Sequence, residues 1–90
     1  MKVTTMLIEQ SFEYPLLKEK LEDDFLEMVE YSVGLYESGI VSSNNGNLTV
    51  TDYSKVNMAL LDLDAIRWWI GKITLNDYVK SVDIYYKRAQ

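Results

Sequence analysis

The chain has 90 residues with 9 Lys+Arg against 14 Asp+Glu, a net charge of −5, no His, no Cys and one Pro. That length suits a single domain, and 48% hydrophobic residues are too many for a disordered chain. Without Cys there is no disulfide, thiolate nucleophile or zinc–thiolate site, and without His the commonest metal ligand and general base is missing.

Residues 1–13 carry one Lys, a short apolar stretch and no small-residue cleavage site, so they do not read as a secretory signal. Asp62, Asp64 and Arg67 interrupt the longest apolar run, which leaves no window fit for a membrane span. A soluble, cytoplasmic protein is expected. On that reading the sequon Asn47-Leu48-Thr49 is a chance match. Residues 3–9 favour an extended strand by their β-branching, although a short helix opening near Thr5 competes, so an extended or irregular N-terminal segment is expected.

Pro15 suits the first turn of a helix, with Tyr14 held extended before it. Leu17, Leu21, Phe25, Met28 and Tyr36 then fall near helical spacing, and Val29 and Val33 widen the stripe. Gly39 supplies a left-handed terminator, which predicts a first helix over about 15–38, with Gly34 a weak point inside it. Asn45-Gly46 is a strong tight-turn signal, and a minor β-hairpin near 40–50 is one outcome.

A short repeat at a spacing of 25 residues supplies the other outcome. Gly46-Asn47-Leu48-Thr49-Val50-Thr51-Asp52-Tyr53-Ser54-Lys55 parallels Gly71-Lys72-Ile73-Thr74-Leu75-Asn76-Asp77-Tyr78-Val79-Lys80. Thr49 and Thr74 suit helix N-caps, and Asp52 and Asp77 suit the first turn, where the helix dipole favours a carboxylate. Leu48 with Tyr53, and Ile73 with Tyr78, have the spacing of hydrophobic staples. The same pattern resembles half of a calcium loop, but counting back puts Val41, Ser43 and Asn45 at the opening ligand positions of one copy. In the other copy those positions fall to Ile66, Trp68 and Ile70, which offer no carboxylates. The cap reading accounts for every repeated residue and is preferred to both the calcium loop and the hairpin. No metal or cofactor site is expected.

The caps predict a second helix over about 50–70 and a third over about 75–88. The second is apolar on nearly every side, which suits a central helix or a buried oligomer interface. The third carries Leu75, Val79, Val82 and Tyr86 on one face, widened by Tyr78 and Tyr85. The predicted fold is therefore mainly α: a three-helix domain, mostly antiparallel, spanning 1–90.

Charge is unevenly placed, with ten acids and three bases in residues 1–52 and four acids and six bases in 53–90. Glu19, Asp23, Glu27, Glu30 and Glu37 follow one stripe of the first predicted helix. Like charges at i,i+4 each cost a few tenths of a kcal/mol, roughly, so a stripe of this kind is either a solvated face or a docking face. The docking reading makes the chain a non-catalytic regulatory or inhibitory protein. Its acidic helix would meet a basic protein surface, in the manner of a phosphate or nucleic-acid mimic. Small acidic chains of this character suit phages and other mobile elements. A second reading is a structural subunit that forms a homo-oligomer through the helix over 50–70. Trp68, Trp69, Tyr85 and Tyr86 would be interface aromatics, because adjacent helical positions point about 100° apart and cannot all face one core. A third is DNA binding through the C-terminal helix with Lys72, Lys80, Lys87 and Arg88. That is weak electrostatics for a chain of net charge −5. No nucleophile–base pair or phosphate loop is present, so no enzymatic activity is expected.

Overall fold

The structure, a computed structural model, describes the backbone of residues 8–89 and the side chains of residues 8–85. It is mainly helical: α1 (Tyr14–Lys20), α2 (Asp23–Glu37), strands β1 (Val41–Asn44) and β2 (Asn47–Val50), a 3₁₀ turn (Tyr53–Lys55), α3 (Leu63–Trp69) and α4 (Leu75–Ala89). The mainly α class is as predicted, and the minor hairpin near 40–50 is the alternative outcome to the Thr49 cap. Four helices among the described residues replace the expected three, because the first predicted helix divides in two, and the second is shortened. The strand or helix expected over 3–9 lies outside the described residues except for Ile8 and Glu9. There the Ser11 N–H donates to the Ile8 carbonyl at 2.9 Å, closing a turn, and Ile8 is buried.

The helix predicted over 15–38 divides at Leu21 and Glu22, both in extended backbone with ψ of 142° and 160°. The break moves Asp23 and Asp24 from the middle of a long helix into the first turn of α2, where the dipole favours them. It also lets Leu17 and Leu21 bend back onto the same core as Phe25 and Val29. Tyr14, expected to be extended, is the first residue of α1. Pro15 follows it, still among the positions whose N–H has no intrahelical acceptor. Gly39, at φ +85°, ends α2 as predicted, its N–H donating to the Tyr36 carbonyl at 3.1 Å.

The first copy of the repeat is a hairpin, not a helix cap. Asn45 and Gly46 both adopt left-handed backbone, at φ +54° and +85°, which is the two-residue turn that matches strand twist. The antiparallel register pairs Val41 with Val50 and Ser42 with Thr49, so Thr49 is an exposed strand residue. Asp52 caps a single 3₁₀ turn in place of the expected α-helix, accepting from the Ser54 N–H at 3.1 Å and the Ser54 hydroxyl at 2.6 Å.

Consequently the helix predicted over 50–70 is shortened to α3. A helix of that length would run about 30 Å, the full 30 Å long axis of the molecule. It would also carry apolar side chains on faces with nothing to cover them. Folded as a turn and a short helix, the segment turns Val56, Leu61, Leu63, Ala65, Ile66 and Trp68 inward while Tyr53 and Met58 stay exposed, helped by polar side chains that bind their own backbone. Asn57 accepts from the Ala59 N–H at 3.1 Å, while the Asn57 N–H donates to the Tyr31 hydroxyl at 2.7 Å.

The second copy behaves as predicted. The Asp77 N–H donates to the Thr74 hydroxyl at 3.1 Å, capping α4, and Ile73 packs against the same cluster as Tyr78. The core forms two clusters with α3 between them. Ala65 and Trp68 join Leu17, Phe25, Val29, Tyr78 and Val82 on one side. Ile66 joins Leu35 and Val41 on the other, where Val56, Leu61 and Leu63 also pack.

Candidate functional site

On α2 the buried residues Phe25, Val29, Ser32 and Val33 occupy one side, and the acids project from the other. At 100° per residue, Asp23, Glu27, Glu30 and Glu37 fall within one quadrant or so. Asp23, Glu27 and Glu37 are exposed and Glu30 is half-buried. Glu19 is exposed too, but it belongs to α1 across the extended break, so the predicted five-carboxylate stripe of one helix is four acids on α2 plus a neighbour. Glu37 also has an internal task, its carboxylate accepting from the Trp69 indole N–H at 3.0 Å. Two ion pairs, Lys55–Asp52 and Arg67–Asp64, lie away from this face.

The predicted aromatic set is divided by the fold. Trp68 is buried, donating its indole N–H to the Glu13 carboxylate and stacking on Tyr78 at a centroid distance of 6.5 Å. Trp69 is half-buried, while Tyr85 is 60% exposed. The side chain of Tyr86 lies outside the described residues. Of the apolar residues in the stretch 50–70 expected to form an interface, Val56, Leu61, Leu63, Ile66 and Ile70 pack within the chain, while Met58 is exposed. Of the cations considered for DNA binding, Lys72 and Lys80 are exposed, and the side chains of Lys87 and Arg88 lie outside the described residues.

The structure adds a polar network that periodicity did not reveal. Asp62 caps α3, its Oδ1 accepting from the backbone N–H groups of Asp64 at 3.1 Å and Ala65 at 3.3 Å. Its Oδ2 accepts from the Tyr78 hydroxyl at 2.7 Å. The Asp62 N–H donates to the Ser32 hydroxyl at 2.8 Å, and that hydroxyl lies 3.5 Å from the Leu60 carbonyl oxygen. Burial pushes the Tyr78 phenol well above its ordinary range, reinforced by the charge of Asp62, the hydrogen bond to it and the charge of Asp64. Tyr78 is therefore a neutral donor at ordinary pH, suited to holding α3 and α4 together.

Beside this network an open groove of about 170 Å³ runs between α2, the start of α3 and α4. Phe25, Met28, Leu61, Val82 and Tyr85 give it apolar walls, while Asp62, Asp64 and Ser81 supply its polar groups. Phe25 and Tyr85 meet edge to face, with ring centroids 5.7 Å apart. In the sequence Asp62 and Asp64 figured only as interruptions of an apolar run. An Asp directly ahead of the helical stretch Leu63–Trp69 was the available cap signal.

Among the described residues, no group of three or more acids converges where it could hold a metal ion, and no helix is long and apolar enough to cross a membrane. Compared with known proteins, the chain matches no family, no curated protein and no solved structure.

Proposed function

We propose that this chain is a small non-catalytic regulatory or inhibitory protein of the cytoplasm, which works by presenting the acidic face of α2 to a basic surface of a protein partner. The observation that supports this reading is the placement of Asp23, Glu27, Glu30 and Glu37 on the side of α2 opposite its buried residues. Four carboxylates along about 20 Å of helix form a strip of negative potential on the side away from the core. Such a strip steers a basic partner and sets its register, which is how an anionic helix imitates a phosphate backbone. Self-association through 56–70 has less apolar surface to draw on, because Val56, Leu61, Leu63, Ile66 and Ile70 pack in the second core cluster, although Met58 remains 58% exposed.

The test is charge reversal by Asp23→Lys with Glu27→Lys. Neither side chain is buried, so circular dichroism should be unchanged and the melting temperature should fall by only a few degrees, roughly, from the lost helix-dipole interaction. Capture of a basic partner from native lysate, released by raised salt from the wild type, should disappear for the reversed chain. A partner retained equally by both chains would sink the proposal.

A further inference from the structure

We infer that the groove between α2 and α4 receives an arginine side chain of the protein partner; this rests on the reading above that the partner is a basic protein. The groove holds about 170 Å³, well short of the roughly 300 Å³ at which pockets for cofactors and drug-sized ligands begin. A protein cavity of about 150 Å³ takes up one benzene molecule, so the space matches a single side chain. Its chemistry selects which one. The apolar walls, Phe25, Met28 and Val82, suit an aliphatic stem. Tyr85 is 60% exposed beside Phe25 and offers an aromatic ring for a cation to stack on.

The polar end of the groove is negative. The partners of the Asp62 carboxylate are neutral: two backbone N–H groups and the Tyr78 hydroxyl. Asp64 binds Arg67 through Oδ1 at 2.7 Å, and its side chain remains 40% exposed. A carboxylate offers about four acceptor sites, so both acids retain capacity for an incoming donor. Among the described residues, two carboxylates opposed by one arginine leave net negative charge beside an apolar wall, an arrangement that a cation on an apolar stem completes. A planar guanidinium fits better than an ammonium, because it stacks on rings and binds carboxylates as a fork. Asp24 is exposed one turn before Met28 on α2, which carries the negative potential from the acidic face to the groove.

The experiment is a titration of the full ¹⁵N-labelled chain with N-acetyl-arginine amide, with N-acetyl-citrulline amide as the neutral isostere. Arginine amide should move the backbone amide signals of Asp64, Ser81 and Tyr85 saturably, with roughly millimolar affinity for so small a probe. The affinity should fall about fivefold for citrulline amide and for the Asp64→Asn chain, the loss of a part-exposed ion pair. Equal response to arginine and citrulline would overturn the inference. Repeating the titration on the Asp23→Lys, Glu27→Lys chain separates the two proposals. Groove shifts that persist there support the groove as the selecting site. Shifts that vanish mean the probe reads the α2 face, which overturns the groove and leaves the acidic-face reading standing. Partner capture that survives charge reversal overturns the acidic-face reading alone.

Discussion

Removing the Asp62 carboxylate should destabilise the fold far more than a surface Asp→Ala change, because the same group serves two elements. In Asp62→Ala, α3 loses the cap that accepts from Asp64 and Ala65, a cost of about 1 kcal/mol. The Tyr78 hydroxyl loses its partner at 2.7 Å, and Tyr78 is wholly buried, which adds about 1–3 kcal/mol for a stranded donor. The sum is about 2–4 kcal/mol, or roughly 10–30 °C in melting temperature for a domain of this size. Tyr78→Phe removes the donor as well as the bond and should cost only about 1–2 kcal/mol. In the double variant nothing is stranded, so its loss should fall short of the two single losses combined by about 1–3 kcal/mol. Urea denaturation of the four chains measures this coupling directly. Asp62→Asn keeps one oxygen for the cap but turns an N–H₂ donor toward the Tyr78 hydroxyl, so it should retain the cap, lose the Tyr78 acceptor and cost about 1–3 kcal/mol. Additive losses within about 0.3 kcal/mol would refute the reasoning, since they would mean that cap and hydroxyl do not share the carboxylate.

Tyr78 also predicts an alkaline limit. Its phenol is raised above the ordinary value of 10.0 in the fold, so above pH 10 the unfolded chain releases a proton that the folded chain retains. Stability is intact below pH 10 and falls as pH rises through the folded value, by about 1.4 kcal/mol at pH 11 for this group. The stability gap between wild type and Tyr78→Phe should therefore narrow by that amount between pH 8 and pH 11 in urea titrations; a constant gap would contradict it. The two copies of the repeat predict unequal alanine variants. Thr74→Ala removes the cap of α4 and should cost about 1 kcal/mol. Thr49→Ala alters an exposed strand position opposite Ser42 and should cost under about 0.5 kcal/mol in the same assay.

That inequality marks where local sequence stops deciding structure. The two copies share glycine, threonine, aspartate and tyrosine, yet the residue before each glycine differs. Asn45 enters left-handed backbone at φ +54° beside Gly46, which allows a two-residue hairpin turn. Ile70, β-branched, stays at φ −89°, leaving Gly71 alone at φ +80° to end α3. The distinction was legible in that one position. The break at Leu21 was harder to read, because Leu17, Leu21 and Phe25 keep four-residue spacing on either side of it and periodicity continues through the bend. Only the acidic run Glu22-Asp23-Asp24, better placed at a helix start than in a helix middle, marks the boundary.

The acidic face and the groove differ in legibility for the same kind of reason. Charges on α2 sit at helical spacing within one segment, so their common face follows from the period of the helix alone. The groove joins Phe25 and Met28 of α2 to Asp62 and Asp64 at the start of α3 and to Ser81 and Tyr85 of α4. It exists only because residues 51–62 refuse the long helix and return the chain across α2. Besides the Asp62 cap signal, Ser32 was a local sign: a serine standing among the apolar residues Val29 and Val33, where burial demands a partner. That partner is the backbone N–H of Asp62, thirty residues away. The contact that satisfies Ser32 is therefore also the contact that sets Asp62 at the mouth of the groove. A buried hydroxyl on α2 thus positions the carboxylate that the groove's proposed guanidinium would meet.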